Sequence, residues 1–400
     1  MTQLSRTQST FTPPVPEAKR WIEGVSFPAD RPLINVSQAA PVDPPPAALR
    51  RAMAEAMEQP ETHLYGPVLG LPALRTALAR DWSAHYDAEV SADQVAITAG
   101  CNQAFAATMA AIAGEGDEVL LPTPWYFNHK MWLDMQGVRT VPLPTGDDLL
   151  PGAEDARALI SPKTRAIVLV SPNNPGGVEY PAETLRALYD LAREHGIKLI
   201  VDETYKDFDS RSGAPHDLLR QPGHEDTLIQ LYSFSKAYRL TGHRVGAIIA
   251  APGLLEEVEK FQDTVAICAP QLGQIAALWG LENLSQWVAG ERDEILARRE
   301  AITAQFPRLE ARGWRLKGLG AYFAYVEHPF AEGSDVLGRK LVHEAGILAL
   351  PGTMFVPPED PAGARHFRFA FANLDADAIT VLFDRLDALD WPLAGTDSPS

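Results

Sequence analysis

Short apolar runs that alternate with amphipathic helical stretches are the feature that most constrains how this chain can fold. Six runs follow one another between residues 95 and 250, and stretches such as NQAFAATMAAIA and PAETLRALYDLAREHG lie between most of them. Strands that are apolar throughout are buried on both faces, so the pattern predicts a largely parallel sheet covered by helices on both sides. The runs are VAIT (95–98), VLLP (119–122), AIVLV (166–170), KLIVD (198–202), LIQLYSF (228–234) and RVGAIIA (244–250).

The rest of the chain predicts a second, smaller domain. The pattern is mostly helical from about residue 253 to 306, and strand-like runs then alternate with helices again. A chain of 400 residues usually forms two domains. We therefore predict an α/β fold whose large domain has a mostly parallel mixed sheet sandwiched by helices, with a smaller α+β domain formed by the N- and C-terminal segments. The predicted segments are an N-terminal arm with a small-domain piece (1–47), the large domain (48–285) and the C-terminal small domain (286–400).

Composition argues against several classes of function. The formal net charge is −17 and no Lys/Arg run is present, which disfavours binding to nucleic acid or to an anionic membrane surface. No apolar run approaches the roughly 18 residues of a membrane span, and the N-terminus lacks the apolar core of a signal peptide. The two cysteines, Cys101 and Cys268, lack the spacing of zinc ligands. These features predict a cytoplasmic protein without a metal site.

Polar residues follow four of the predicted strands at their carboxyl ends, where open α/β sheets bind ligands. The turn AGCNQA at Gly100 opens a helix, and the first amides of a helix can bind an anion. SPNNPGG follows the third run, Asp202 and Tyr205 follow the fourth, and Lys236 follows the fifth. The sequence therefore predicts an anion site, an asparagine, an aspartate, a tyrosine and a lysine at one edge of the sheet.

Each of these residues alone also has a purely structural interpretation. A lysine after a strand is usually solvated, NNPGG is usually only a turn, and an aspartate at a strand end usually caps the next element. Gly100 can serve a tight turn, Arg244 can form a surface ion pair, Tyr205 can be a half-buried aromatic, and Arg368 can point away from the core. The functional interpretation depends on the combination, in this order along the chain.

The combined motifs resemble the class I/II aminotransferases, which are fold-type I pyridoxal-phosphate enzymes of the aspartate aminotransferase superfamily. The resemblance extends from about residue 35 to 389 and implies a homodimeric enzyme with pyridoxal 5′-phosphate as cofactor. It implies transfer of an amino group from an amino acid to a 2-oxo acid, through a Lys236 Schiff base and pyridoxamine phosphate. The motifs are YGPVLGLPALR (65–75), SPNNPGG (171–177), VDETY (201–205), SFSKAYRLTGHRVG (233–246) and FRFAFA (367–372).

The same resemblance implies a role for each residue around the cofactor ring. Lys236 would form the Schiff base and Asp202 would pair with the pyridine nitrogen, which makes the ring a better electron sink. Tyr205 and Asn174 would hydrogen-bond the phenolic oxygen. Tyr126 would lie over the ring, with Trp125 as the second choice for that place.

The resemblance also assigns the phosphate and the substrate. Arg368, assisted by Asn174, would bind the substrate carboxylate, with Ala39 and Tyr126 lining the substrate site. Tyr65 would reach the phosphate of the partner subunit, so that two chains share each active site. The other phosphate ligands would be the turn at Gly100, the amides of Cys101 and Asn102, and the side chains of Ser233, Ser235 and Arg244.

Three positions depart from the family pattern. Asn174-Pro175-Gly176-Gly177 replaces the usual Asn-Pro-Thr-Gly and keeps the asparagine. Ala39 stands where a glycine is usual, so its methyl group can reshape the substrate entrance. Cys101 stands where the residue is usually small or charged, and we expect its thiol to be inert.

The motifs leave other activities open. A carbon–sulfur or β-lyase on the same fold would use the same Lys236, Asp202 and Arg368. A pyridoxal-phosphate-fold transcriptional regulator is disfavoured, because the roughly 48 residues before the large domain are Pro-rich and not basic. The segment TVAICAPQ (264–271) has no second arginine for a distal carboxylate. We therefore expect a neutral or aromatic amino donor.

Overall fold

The computed structural model describes residues 5–395, which fold into helices and strands in the predicted alternating order. The strands are β1 (Ile34–Asn35), β2 (Val95–Thr98), β3 (Glu118–Thr123), β4 (Arg139–Pro144), β5 (Thr164–Val170), β6 (Lys198–Asp202), β7 (Leu228–Ser233), β8 (Gly246–Ile249), β9 (Arg315–Gly320), β10 (Phe323–Glu327), β11 (Ile347–Leu348), β12 (Leu350–Pro351) and β13 (His366–Ala370). The α-helices are α1 (Pro14–Arg20), α2 (Ala47–Met57), α3 (Pro72–Tyr86), α4 (Cys101–Ile112), α5 (Phe127–Gln136), α6 (Ala153–Leu159), α7 (Ala182–Glu194), α8 (Pro252–Ala266), α9 (Gln271–Asn283), α10 (Ser285–Glu310), α11 (Ser334–Lys340) and α12 (Ala376–Asp387).

A seven-stranded sheet with the order β2-β8-β7-β6-β5-β3-β4 organises the middle of the chain. Five strands, β4, β3, β5, β6 and β7, run parallel to one another, and β8 is antiparallel to both β7 and β2. The link from β7 to β8 contains only a short 3-10 helix, Thr241–His243, and a parallel crossover needs a longer, usually helical, connection. The mostly parallel mixed sheet of the sequence prediction is confirmed.

Helices cover both faces of this sheet. Side chains alternate between two apolar clusters along β6, so that Ile200 lies in one cluster and Leu199 and Val201 lie in the other. The first cluster includes Phe105 of α4, and the second includes Leu188 of α7. A strand that is apolar throughout is therefore buried on both faces, as the continuous apolar runs predict.

A four-stranded antiparallel sheet with the order β12-β13-β10-β9 lies in the C-terminal part of the chain. The N-terminal part of the chain joins this region through β1, whose Ile34 pairs in parallel with Ile347 of β11. The smaller α+β unit therefore combines segments from both ends of the chain. The domain boundaries after residues 47 and 285 stay predictions.

The N-terminal segment, predicted as an arm with a small-domain piece, packs against the body of the protein. Ala18 and Trp21 are buried in a cluster with Phe127 and Phe355. Farther toward the N-terminus, a 3-10 helix Arg6–Ser9 lies beside α5, where the Ser9 hydroxyl donates to the Asp134 carbonyl at 3.0 Å. These contacts bring α1 to the carboxyl edge of the large sheet.

Candidate active site

A cavity of about 510 Å³ opens at the carboxyl ends of β5, β6 and β7. The N-terminus of α4 and the side chain of Arg368 on β13 complete it. The four strand ends that the sequence predicted to meet therefore do meet. The cavity is lined by Pro13, Val15, Pro16, Lys19, Gln38, Ala39, Ala40, Cys101, Asn102, Tyr126, Phe127, Asn128, Val170, Asn174, Asp202, Thr204, Tyr205, Ser233, Ser235, Lys236, Thr241, Arg244 and Arg368.

Lys236 lines the cavity from the turn that follows β7. Its Nζ donates to the carbonyl oxygen of Ala39 and lies 5.8 Å from the centre of the Tyr205 ring. Burial, together with the nearby cations of Arg368 and Arg244, lowers the pKa of Lys236 to about 8. About a tenth of this amine is therefore neutral and nucleophilic at pH 7.

Asp202 ends β6 as a buried carboxylate. Its Oδ1 accepts from the Thr204 amide at 3.0 Å, and its Oδ2 lies 3.3 Å from His129 Nε2. Burial alone would raise the pKa of Asp202, but the hydrogen bonds from His129 and Thr204 outweigh it and the pKa is lowered. The cavity thus keeps one fixed negative charge that can pair with a protonated ring nitrogen.

His129 is a site residue that sequence reasoning missed. It lies in the first turn of α5, is 2% exposed, and stacks on Phe105 with the ring centres 3.9 Å apart. The Tyr126 ring meets it edge-on at 5.0 Å. The only sequence signal was its position three residues after Tyr126, which places both on the same side of a helix start.

An anion cradle lies at the N-terminus of α4. Gly100 is the N-cap residue, with φ of +87°, and the Cys101 and Asn102 amides that follow have no partner within the helix. Arg244 Nη1 lies 3.4 Å from the Ser235 hydroxyl, and the Ser235 amide lies 3.3 Å from the Ser233 hydroxyl. Cationic, hydroxyl and amide donors therefore converge here, which is the donor set that a phosphate needs.

The Cys101 thiol shares this end of the cavity. Burial, with the Asp202 carboxylate nearby, raises its pKa well above the usual value. The thiol therefore stays protonated, and only the backbone amide of Cys101 has the character of an anion ligand.

Arg368 points into the cavity and not outward from its strand. Its Nη1 donates to Asn174 Oδ1 at 3.0 Å, and its Nη2 donates to the Ser37 carbonyl. The rings of Phe323 and Phe355 flank the guanidinium, each with its centre at 5.0 Å. Burial lowers the pKa of Arg368 to about 10, so the side chain is still a cation at neutral pH. Among the described residues, its Nε has no hydrogen-bond partner. This buried cation with an unused donor is suited to a carboxylate ligand.

The aromatic residues divide between the cavity and the core. The Tyr126 hydroxyl accepts from Asn128 at 2.9 Å and lies 3.3 Å from Asn102 Oδ1, whereas Trp125 is buried in the apolar cluster beneath the sheet. Burial raises the pKa of Tyr205 well above its usual value, so its phenol remains protonated. Of the two aromatic choices, Tyr126 is the one that lines the cavity.

Two predicted site residues lie outside the cavity lining. Gly100 lies beneath it, where a Cβ atom would come within 2.2 Å of Arg244 Nη2. Tyr65 is 78% exposed on the surface. The lining residues outside the predicted site set are Pro13, Val15, Pro16, Lys19, Gln38, Ala40, Phe127, Asn128, Val170, Thr204 and Thr241.

The sequence profile described as aminotransferase class I and II matches residues 31–386. The chain belongs to the class I and II aminotransferase family. It is therefore an enzyme, a transaminase, and members of this family use pyridoxal 5′-phosphate.

Individual relatives agree with this family. The chain is 30% identical to the aromatic aminotransferase ISS1 of Arabidopsis thaliana over 318 residues, which covers 77% of this chain and 78% of the relative. It is also 30% identical to the arginine–pyruvate transaminase AruH of Pseudomonas aeruginosa over 331 residues, which covers 81% of each. A solved structure of a single mutant of Thermus thermophilus aspartate aminotransferase superposes with a TM-score of 0.85 at 25% identity, covering 97% of this chain and 99% of that one.

The residues of the cavity fit pyridoxal 5′-phosphate. An amine with a lowered pKa, a buried carboxylate and an anion cradle lie in one cavity, and they match the aldehyde, the ring nitrogen and the phosphate of the cofactor. The unused Nε of Arg368 leaves a donor for a carboxylate beside them.

Within residues 5–395, no helix is long and apolar enough to cross a membrane.

Proposed function

We propose that this aminotransferase moves the amino group of a neutral or aromatic amino acid to a 2-oxo acid, with Lys236 as the reactive amine. The observation that carries the proposal is the shared cavity of Lys236, Asp202 and Arg368. An amine, a carboxylate for the cofactor ring and a cation for the substrate carboxylate are the three charges that this chemistry needs.

Each residue in the cavity has a proposed task toward the cofactor. Bound pyridoxal 5′-phosphate supplies an aldehyde for amine exchange and a ring that accepts the electrons released at the substrate Cα. Asp202, held by His129 and Thr204, would keep the ring nitrogen protonated. Tyr205 and Asn174 would donate to the phenolic oxygen, and Tyr126 would pack on the ring. The phosphate would be held by the α4 amides of Cys101 and Asn102, by the Gly100 turn and by the side chains of Ser233, Ser235 and Arg244.

Lys236 would also carry the proton. With a pKa of about 8, its Nζ can lose a proton near neutral pH and then accept one from the substrate Cα. The same Nζ would then release that proton to the C4′ carbon of the bound cofactor. The contact between Nζ and the Ala39 carbonyl oxygen keeps the amine oriented in the cavity between these steps.

The substrate would lie between Arg368 and the N-terminal helix. Arg368 and Asn174 would bind its carboxylate, since the pair is already hydrogen-bonded and faces the cavity. The cavity lining also includes Val15, Pro16 and Phe127, which favour an apolar side chain. The Arabidopsis relative is named an aromatic aminotransferase, which supports the same donor class.

A homodimer is part of the proposal. Tyr65 is 78% exposed beside exposed Leu64, and Val265 and Ile267 at the end of α8 are also exposed apolar residues. Such residues are typical of a surface that another chain covers. Tyr65 of each chain would then reach the phosphate of its partner. We also propose a cytoplasmic location, in keeping with the acidic composition and the two unpaired cysteines.

The test is a panel of amino donors with the purified, cofactor-loaded enzyme and an excess of 2-oxo acid acceptor. We expect the highest kcat/KM with phenylalanine, tyrosine or leucine, and we expect 2-oxo acid and new amino acid in equal amounts. Lys236→Ala should abolish the transfer, whereas the surface variant Lys260→Ala should behave like the parent enzyme. A higher kcat/KM with aspartate or glutamate would refute the donor class. Release of pyruvate and ammonia without an acceptor would favour the lyase.

A further inference from the structure

Arg239 has an unusual backbone conformation close to Lys236. Its φ is +52°, in the left-handed region that glycine adopts readily and side chains with a Cβ adopt rarely. Its amide donates to the carbonyl oxygen of Lys236 at 3.1 Å, so this residue closes the turn that carries the lysine. A strained residue of this kind persists only when contacts elsewhere compensate for the strain. The contacts of the Arg239 side chain are therefore the place to look for that compensation.

The Arg239 side chain joins that turn to two other parts of the chain. Its Nε and Nη2 each donate to a carboxylate oxygen of Glu291 on α10, both at 2.9 Å. Its Nη1 lies 3.5 Å from Asp43 Oδ2, and its guanidinium carbon lies 5.4 Å from the centre of the Trp287 ring. Arg239 and Glu291 are each only 21% exposed, so this forked pair is shielded far more than an ordinary surface pair. We call the contacts of Arg239 with Glu291 and Asp43 the Arg239 bridge.

Both ends of the Arg239 bridge lead back to the active site. Asp43 follows closely after Ala39, whose carbonyl oxygen accepts from Lys236 Nζ. Arg239 and Glu291 line a crevice of about 60 Å³ together with Tyr322, and the Tyr322 ring lies edge-on to Tyr205 at 5.4 Å. The bridge therefore joins the lysine turn to the segment that orients the lysine, and it shares a crevice with a neighbour of Tyr205.

We propose that Arg239 is a positioning residue, which holds the Lys236 turn in register with α10 and with the segment that contains Ala39. The inference rests on the proposed function, in which Lys236 is the reactive amine. The planar guanidinium is required because its Nε and Nη2 bind Glu291 while its Nη1 faces Asp43. A lysine at this place could make only single-point contacts.

The test compares Arg239→Gly, Arg239→Lys and Glu291→Gln with the parent enzyme. Glycine suits the backbone of position 239 and removes only the side chain, and glutamine removes the charge of the other partner. Arg157→Ala is the matched control, because Arg157 makes the same forked contact with Glu194, at 2.8 and 2.9 Å, on the surface. The first measurement uses the cofactor-free enzyme, and follows acetylation of Lys236 against pH by mass spectrometry. The second measures kcat and donor KM of the loaded enzyme.

We expect the apparent pKa of Lys236 to rise by about half a unit or more in Arg239→Gly and Glu291→Gln, because a looser turn admits water to the ammonium group. The other titratable groups that face Lys236, namely Arg368, Arg244, Asp202, Cys101 and Tyr205, are unchanged in these variants. We expect kcat to fall about tenfold while donor KM stays within about twofold, since a misplaced amine affects the transition state more than binding. Arg239→Lys should recover only part of the loss, and Arg157→Ala should match the parent.

The proposal is overturned if the bridge variants keep the parent pKa of Lys236 and the parent kcat, including the case in which only their melting temperature falls. If Arg239→Gly does not fold, Glu291→Gln and Arg239→Lys decide the outcome by the same two measurements. Failure of the proposed function looks different. In that case the Lys236→Ala variant would retain the transfer activity, and Lys236 of the parent enzyme would show the pKa of an ordinary lysine.

Discussion

Gly100→Ala is the substitution whose effect the structure defines most sharply. The added Cβ atom would lie 2.2 Å from Nη2 and 2.8 Å from Cζ of Arg244, which no pair of nonbonded atoms tolerates. Arg244 is a flexible side chain, so it can move, but it moves away from the anion cradle. In addition, φ of +87° with ψ of 163° is a conformation that is essentially restricted to glycine.

The two consequences separate in different measurements. The backbone strain, on the order of 1–3 kcal/mol, is present with and without cofactor and therefore lowers the melting temperature of both forms. Loss of the charge-assisted hydrogen bonds from Arg244 costs about 1.5–3 kcal/mol in the bound form only. Since about 1.4 kcal/mol is a factor of ten, the Kd for pyridoxal 5′-phosphate should rise about 10- to 100-fold.

The assay is a titration of the cofactor-free enzyme with pyridoxal 5′-phosphate, followed by absorbance, with calorimetry of the same samples. Gly242→Ala is the control, because an added Cβ atom at this nearby position meets nothing within 4 Å. The double variant Gly100→Ala, Arg244→Ala should bind no more weakly than Arg244→Ala alone, because both changes act through the same side chain. A Kd for Gly100→Ala within twofold of the parent, or full additivity in the double variant, would refute the reasoning.

Three further predictions follow from particular contacts. His129→Phe keeps the stack on Phe105 but removes the hydrogen bond to Asp202, so the pKa of Asp202 should rise. In a pH–rate profile, kcat should fall about tenfold and its acid limb should shift to higher pH. Lys19→Gln should change kcat/KM for phenylalanine by less than about twofold, since Lys19 is an exposed cation at the mouth of the cavity; a tenfold loss with aspartate as a good donor would instead assign Lys19 to a distal carboxylate. Burial lowers the pKa of His328 from 6.5 to about 4, so the unfolded chain binds a proton that the folded chain excludes between those values. Stability should therefore fall by up to about 3 kcal/mol as pH drops from 6.5 to 4, and His328→Asn, compared with the parent by calorimetry at pH 7 and 4.5, should weaken that dependence.

The site residues that could be predicted from the sequence are those that directly follow a strand. Asp202 and Lys236 come directly after apolar runs, and the carboxyl ends of parallel strands must share one edge of a sheet. Gly100 and Cys101 follow the same rule at the start of α4. The mostly parallel sheet and the helical layers on both faces followed from the same runs, because a strand that is apolar throughout needs cover on both sides.

The residues that sequence reasoning missed reach the site from elements that no local pattern ties to it. In the sequence, His129 is only one histidine in a predicted helix. The tertiary fold places it against Asp202. Lys19 belongs to a Pro-rich segment that has no strong periodicity. Helix α1 becomes part of the cavity wall because Ala18 and Trp21 pack into an apolar cluster with residues far along the chain. The antiparallel direction of β8 likewise depends on the length and path of the link before it, and not on its own residues.

The sequence by itself determined the layered α/β architecture, the chemical identity of the reactive groups and their order along the sheet edge, because burial period and strand ends are local properties. Tertiary structure alone decided which charges meet. The lowered pKa of Lys236 and the inward direction of Arg368 both arise from contacts between segments far apart in the chain. Charges a few ångströms apart interact strongly in a low-dielectric interior, so their effect depends on how the completed fold places them.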